Sequence, residues 1–113
     1  MEIIGLLEKA LDIRAAYQRV LASNIANVET PGYKEKEIDF RAELERSMKG
    51  GQASLTVKEK DDPDGVTSLD GNTVNMENQI VKLTENTLMF NALVQSISKR
   101  FSRMLYAINE GRR

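Results

Sequence analysis

Catalysis and metal binding have few residue types to draw on in this 113-residue chain, which holds no cysteine and no histidine. Their absence removes thiol nucleophiles, disulfides, zinc sites built on Cys or His, and imidazole acid–base work. Carboxylates remain. Glu35 and Glu37, and Glu43 and Glu45, are spaced as pairs, but each pair lies in highly charged, solvated sequence with nothing to shift a pKa. Lys60–Gly65, reading KDDPDG, resembles a calcium loop only at first sight. With Gly65 at its sixth position, Lys60 and Gly71 fall at the first and twelfth, where carboxylates are required. It reads instead as an acidic turn. The seven glycines are scattered and form no phosphate loop. No enzyme, cofactor, metal site or small-molecule substrate is expected.

Charge narrows the partners. Sixteen Lys and Arg against seventeen Asp and Glu give a net charge of −1, which argues against nucleic acid. The N-terminus carries charges within its first turns and has no apolar core or cleavage site, so a cleaved secretory signal is not expected. No apolar run is long enough to span a membrane.

Three segments organise the chain. Residues 1–33 are nearly balanced, residues 34–70 hold seven basic and ten acidic groups, and residues 71–113 hold six and three. The middle segment, with Gly50-Gly51, Pro63 and Gly65 and few large apolar residues, is expected to be irregular or flexible. The ends read as helices, giving a mainly α protein. The first helix is expected from Ile3 to Asn27. Its polar arc is narrow, holding Glu8, Lys9, Asp12, Arg19, Ser23 and Asn27. The apolar remainder, including Leu7, Leu11, Leu21 and Ile25, covers more than half the circumference and favours burial against partners. Arg14 and Gln18 interrupt that apolar face one turn apart. Either they mark a solvent-facing notch, or they form a buried polar pair that fixes register. The second reading demands a carboxylate or carbonyl partner for Arg14.

The last segment has the most regular pattern. Met76, Ile80, Leu83, Thr87, Phe90, Val94, Ile97, Phe101, Met104 and Ile108 alternate in spacings of four and three, a heptad seam over more than four heptads. Asn75 is a plausible N-cap for a helix from Met76 to Glu110. Such a helix would be roughly 50 Å long, suited to a rod or filament. Its end is basic, with Lys99, Arg100, Arg103, Arg112 and Arg113 against Glu110, as a helix C-terminus favours.

One string remains: Asn24, Ile25, Ala26, Asn27, Val28, Glu29, Thr30, Pro31, Gly32, Tyr33. Pro31 disfavours helix at Thr30, and Pro31-Gly32 suits the centre of a type II turn. Asn27 can hydrogen-bond free carbonyls at the helix end. Taken with Leu11 and Arg14, this string resembles the N-terminal signature of bacterial flagellar axial proteins. The stretch from Asp70 to Phe101, DGNTVNMENQIVKLTENTLMFNALVQSISKRF, is similar to the end of the proximal rod subunits, the FlgB-type basal-body rod proteins.

That resemblance implies a structural subunit of the proximal rod, the drive-shaft component needed for motility, in the periplasmic part of the flagellum. It implies export through the flagellar type III apparatus without a cleaved signal peptide. Partners would be further copies, adjacent rod subunits, and the adaptor joining rod to membrane ring. A cytosolic helical adaptor or export chaperone is the alternative. The resemblance also implies that the two terminal helices pair as an antiparallel coiled coil. Leu11 would then face Phe101, Leu21 would face Phe90 or its neighbour, Val28 would face Leu83, and Arg14 would fall near Ser98.

Overall fold

The computed structural model describes residues 3–50, 55–60 and 71–111. Two long helices dominate it: α1, Ile3–Ala26, and α3, Met76–Gly111. Between them lie strand β1, Lys36–Glu37, helix α2, Phe40–Met48, and strand β2, Lys58–Glu59. The chain is elongated, 70 × 27 × 18 Å.

The helix boundaries follow from local chemistry. α1 ends before Pro31, where Tyr33 N–H closes a turn on the Thr30 carbonyl at 3.3 Å. Gly32 supplies the positive φ of 76° which that turn requires. The Asn27 side-chain amide donates to the Ser23 carbonyl at 2.8 Å, adding to the bond that carbonyl accepts from Asn27 N–H. Asn75 caps α3, its side chain accepting from Asn78 N–H at 3.1 Å. Among the described residues, no helix is long and apolar enough to cross a membrane.

The middle is more ordered than its composition suggests. Asp39 caps α2 by accepting from Ala42 N–H, so a helix forms where an irregular segment was expected. β1 and β2 pair antiparallel, Lys36 opposite Glu59 and Glu37 opposite Lys58. Together these elements cover one side of α1. Ile13, Ala16 and Ile38 form the buried core, with Tyr17, Val20, Phe40, Leu44 and Leu55 packed around it. The KDDPDG turn lies outside the described residues apart from Lys60.

The expected solvation of the carboxylate pairs fails for one member of each. Glu35 is buried and accepts from Lys82 Nζ at 2.8 Å. Glu43 is buried too, paired with Arg46 and accepting from Thr56 N–H at 3.1 Å. A buried carboxylate requires such compensation. Lys82 reaches Glu35 across 47 residues of sequence, a proximity only the fold creates, whereas Arg46 stands three residues from Glu43 on α2.

α1 and α3 run antiparallel. Arg14 meets Asn86, Gln18 meets Thr87, and Asn24 meets Gln79. The direction is the expected one and the register is not. Relative to the expected pairing, α3 is displaced by about nine residues, more than two helical turns. Arg14 therefore lies against Asn86 rather than near Ser98.

Candidate assembly surface

The contact between the long helices is built around polar side chains. Asn24 is fully buried and saturates its amide. It donates to the Lys36 carbonyl at 2.8 Å and to Gln79 Oε1 at 2.9 Å. It accepts from Lys36 N–H at 3.0 Å and from the Tyr33 hydroxyl at 3.2 Å. One side chain thus ties α1 to the turn, to β1 and to α3.

Asn86, one heptad on from Gln79, plays the matching part on α3. Its amide donates to the Arg14 carbonyl at 2.9 Å and to Gln18 Oε1 at 2.8 Å, while its oxygen accepts from Arg14 Nη1 at 3.3 Å. The Arg14 guanidinium also lies 3.9 Å from the centre of the Phe40 ring, a cation–π contact. Burial pushes the Arg14 pKa down, although the charge stays far from titrating. Arg14 Nε and Gln79 Nε2 are buried without hydrogen-bond partners. Arg14 and Gln18 are therefore part of a polar interface rather than a solvent-facing notch.

Asn72 completes the arrangement. Its amide reaches the carbonyls of Asn27, Val28 and Thr30, in the turn that follows α1, at 2.9, 3.1 and 2.7 Å. Its own oxygen accepts from Val74 N–H at 2.8 Å. Thr73 N–H donates to the Tyr33 carbonyl at 3.0 Å, and Thr73 Oγ1 accepts from Glu35 N–H. The motif from Asn24 to Tyr33 thus docks the segment that leads into α3. Ala26, Thr30, Pro31 and Gly32 are exposed on it, while Ile25, Asn27 and Tyr33 are half-buried.

Beside this knot, Lys82 and Tyr17 form a second cluster with Glu35. Burial alone would lower the Lys82 pKa, but the hydrogen bond and charge of Glu35 outweigh it and raise it. Burial pushes the Tyr17 hydroxyl up, opposed by Lys82 and helped by Glu35 and Glu37.

α3 carries two candidate seams, and α1 takes the more polar one. Gln79, Leu83, Asn86, Phe90, Leu93, Ile97 and Arg100 are buried or half-buried. Of the heptad line expected from sequence, Leu83, Phe90 and Ile97 belong to that face. Ile80 and Val94 stand exposed at its edge, and Phe101, Met104 and Ile108 stand exposed beyond the end of α1. On α1, Leu21 is fully buried, and Leu7, Leu11 and Ile25 are half-buried. Heptad counting missed Gln79 and Asn86 because it seeks apolar residues. The visible signal was two amides spaced seven apart beside the apolar line. From Phe101 to Gly111 every residue is exposed, because α1 ends short of this stretch.

Residues 7–34, most of α1 together with the turn string that follows it, match the family model for flagella basal body rod protein. Curated relatives sharpen this. The flagellar basal body rod protein FlgB of Escherichia coli K12 is 31% identical, over 92% of this chain and 91% of the relative. FlgB of Cereibacter sphaeroides ATCC 17023 is 36% identical, over 93% and 92%. FlgB of Salmonella typhimurium LT2 is 31% identical, over 92% and 91%. The chain belongs to the FlgB family of flagellar basal body rod proteins. Its alternative as an adaptor or export chaperone finds no support in these likenesses.

Proposed function

We propose that the chain is a non-catalytic structural subunit of the proximal flagellar rod, packed among further copies of itself and adjacent rod subunits. The observation that carries this is the bare apolar line of α3, from Ile80 through Val94 and Phe101 to Ile108, on a helix too long for α1 to cover. Apolar surface of this extent in a subunit of an assembly marks contacts with neighbours. The exposed line joins the half-buried residues Leu7, Leu11, Ile25, Leu83, Phe90 and Ile97 as candidate assembly positions.

The same reading places the chain in the periplasmic part of the basal body, delivered by the flagellar type III export apparatus and joined to the membrane ring through the rod adaptor. Resemblance to the rod family supports these points. Purified basal bodies provide the test, with the chain detected by mass spectrometry. Its presence in rod-containing particles is expected. Its absence there, with the chain instead in the cytosol bound to an export client, would replace the rod reading by the chaperone one.

A further inference from the structure

Residues 71–87 supply the partners that close the fold. Asn72 reaches three carbonyls of the turn after α1. Thr73 bridges Tyr33 and Glu35, and Lys34 Nζ donates to the Gly71 carbonyl at 3.0 Å. Within α3, Gln79 meets Asn24, Lys82 meets Glu35, and Asn86 meets Arg14 and Gln18. Asn24 and Glu35, 0% and 2% exposed, are buried only in the company of these partners. Backbone meets backbone at the same place. Gly32 and Gly71 both have positive φ, and a Cβ at Gly71 would stand 3.7 Å from Gly32 Cα.

These contacts span 37 to 72 residues of sequence. Closing loops of that length costs chain entropy before any contact repays it. What the first 60 residues hold by themselves is small. Ile13, Ala16 and Ile38 form the buried apolar cluster, and Lys9 on the Ser47 carbonyl and Asn24 on β1 are polar ties. Three fully buried apolar side chains fall far short of offsetting the conformational entropy of that length of chain.

We propose that residues 71–87 gate folding: α1, the turn of residues 24–33 and β1 acquire stable structure only once that stretch has joined them. The gate has a direction. A chain presented from its N-terminus gains no fold to hold it until residues 71–87 are available, when only residues 88–113 remain. For a chain delivered through an export passage, the same gate keeps the leading part extended and releases the fold near the end. That consequence rests on the proposed delivery, whereas the gate itself does not.

Hydrogen exchange of the purified full chain, followed by mass spectrometry across a series of sub-denaturing urea concentrations, tests the gate. Amides of residues 17–26 and 36–37 are expected never to outlast the slowest amides of residues 79–90. Asn72→Asp keeps the shape of the side chain and the oxygen that accepts from Val74 N–H, but removes the amide that reaches three carbonyls. In N72D, protection of both groups is expected to fall by the same factor, at least about tenfold. Amides of α1 that stay protected after residues 79–90 have exchanged, in the parent or in N72D, would show a self-sufficient N-terminal half and overturn the gate. A parent chain without protection in either group would overturn it too, because residues 71–87 would then close nothing within one chain. An N72D chain that loses all protection agrees with the gate, and the urea series of the parent then carries the decision. The measurement needs no basal body, so absence of the chain from rods would count against the rod reading and leave the gate to stand or fall by exchange.

Discussion

The two parts of α3 solve opposite problems. From Met76 to Arg100 the helix lies against α1, and the face it offers includes Gln79, Lys82 and Asn86. From Phe101 to Gly111 it lies against nothing in the described chain, and the face it offers is Phe101, Met104, Leu105 and Ile108. Polar groups therefore sit where the partner is fixed, and apolar groups where the partner must arrive. Apolar packing tolerates sliding by a turn, while a buried amide is satisfied in one register only. The lesson is that the interior contact is selected for position and the exterior one for adhesion.

Asn24 is the strongest test of the covered half. Asn24→Ala leaves the Lys36 N–H, the Lys36 carbonyl and Gln79 without their buried partner. At about 1–3 kcal/mol for each buried group left unpaired, a loss of at least about 3 kcal/mol is expected. Urea denaturation of the purified chain measures it. A midpoint unchanged from the parent would show that the knot contributes nothing to holding the helices together.

A smaller effect is expected at the next level of the interface. R14L with Q18L strips Asn86 of two of its three hydrogen bonds, sparing the one to the Arg14 backbone carbonyl, and should destabilise by about 1–3 kcal/mol. Adding N86L should recover much of that loss, since replacing every member of a polar cluster by apolar residues is often neutral or favourable. The triple variant should instead lose register, appearing as heterogeneous oligomers by size-exclusion chromatography. A stable, monodisperse triple variant with normal swimming would separate polarity from specificity here.

The Lys82–Glu35–Tyr17 cluster gives a pH signature. Lys82 and Tyr17 both have pKa values raised on folding, so each contributes stability that is present below its unfolded value. That contribution is lost as pH rises through the folded values, from about pH 10 upward. Melting temperatures should fall across that range, and Lys82→Gln with Tyr17→Phe should fall less steeply from a lower starting point. Parallel curves for parent and variant would remove the cluster from the account of alkaline unfolding.

Much of this architecture can be read from the amino acids, and most of what cannot depends on contacts distant in sequence. Pro31-Gly32 and Asn75 mark helix ends because their effects are local to a few residues. Asp39 starting α2 was equally local, but the charges around it obscured a short helix with little apolar content. The motif's identity is legible, whereas the task of Asn24 is not, because its partners Lys36 and Gln79 lie 12 and 55 residues away. The displaced register follows likewise. Heptad counting chooses the most apolar line of α3, but α1 presents Arg14, Gln18 and Asn24, and only the line holding Asn86 and Gln79 can satisfy them.

The smallest effect on the isolated chain belongs to the uncovered half. Phe101 is 46% exposed, at the start of the stretch of α3 whose described residues are all exposed. Phe101→Ala thus removes little buried area, and a stability change within about 0.5 kcal/mol is expected, as for a surface position. Alanine also favours helix more than phenylalanine does, which offsets part of any lost contact. Assembly should respond in the opposite sense, because a large apolar side chain buried at an interface contributes far more than at a free surface. Urea midpoints of the purified variant, set beside swimming and recovery of the chain in basal bodies, measure the two responses separately. An unchanged midpoint with lost incorporation is expected. A clear drop in midpoint with normal motility would mean that the end of α3 is covered by its own chain, and that the contrast between the halves of the helix is false.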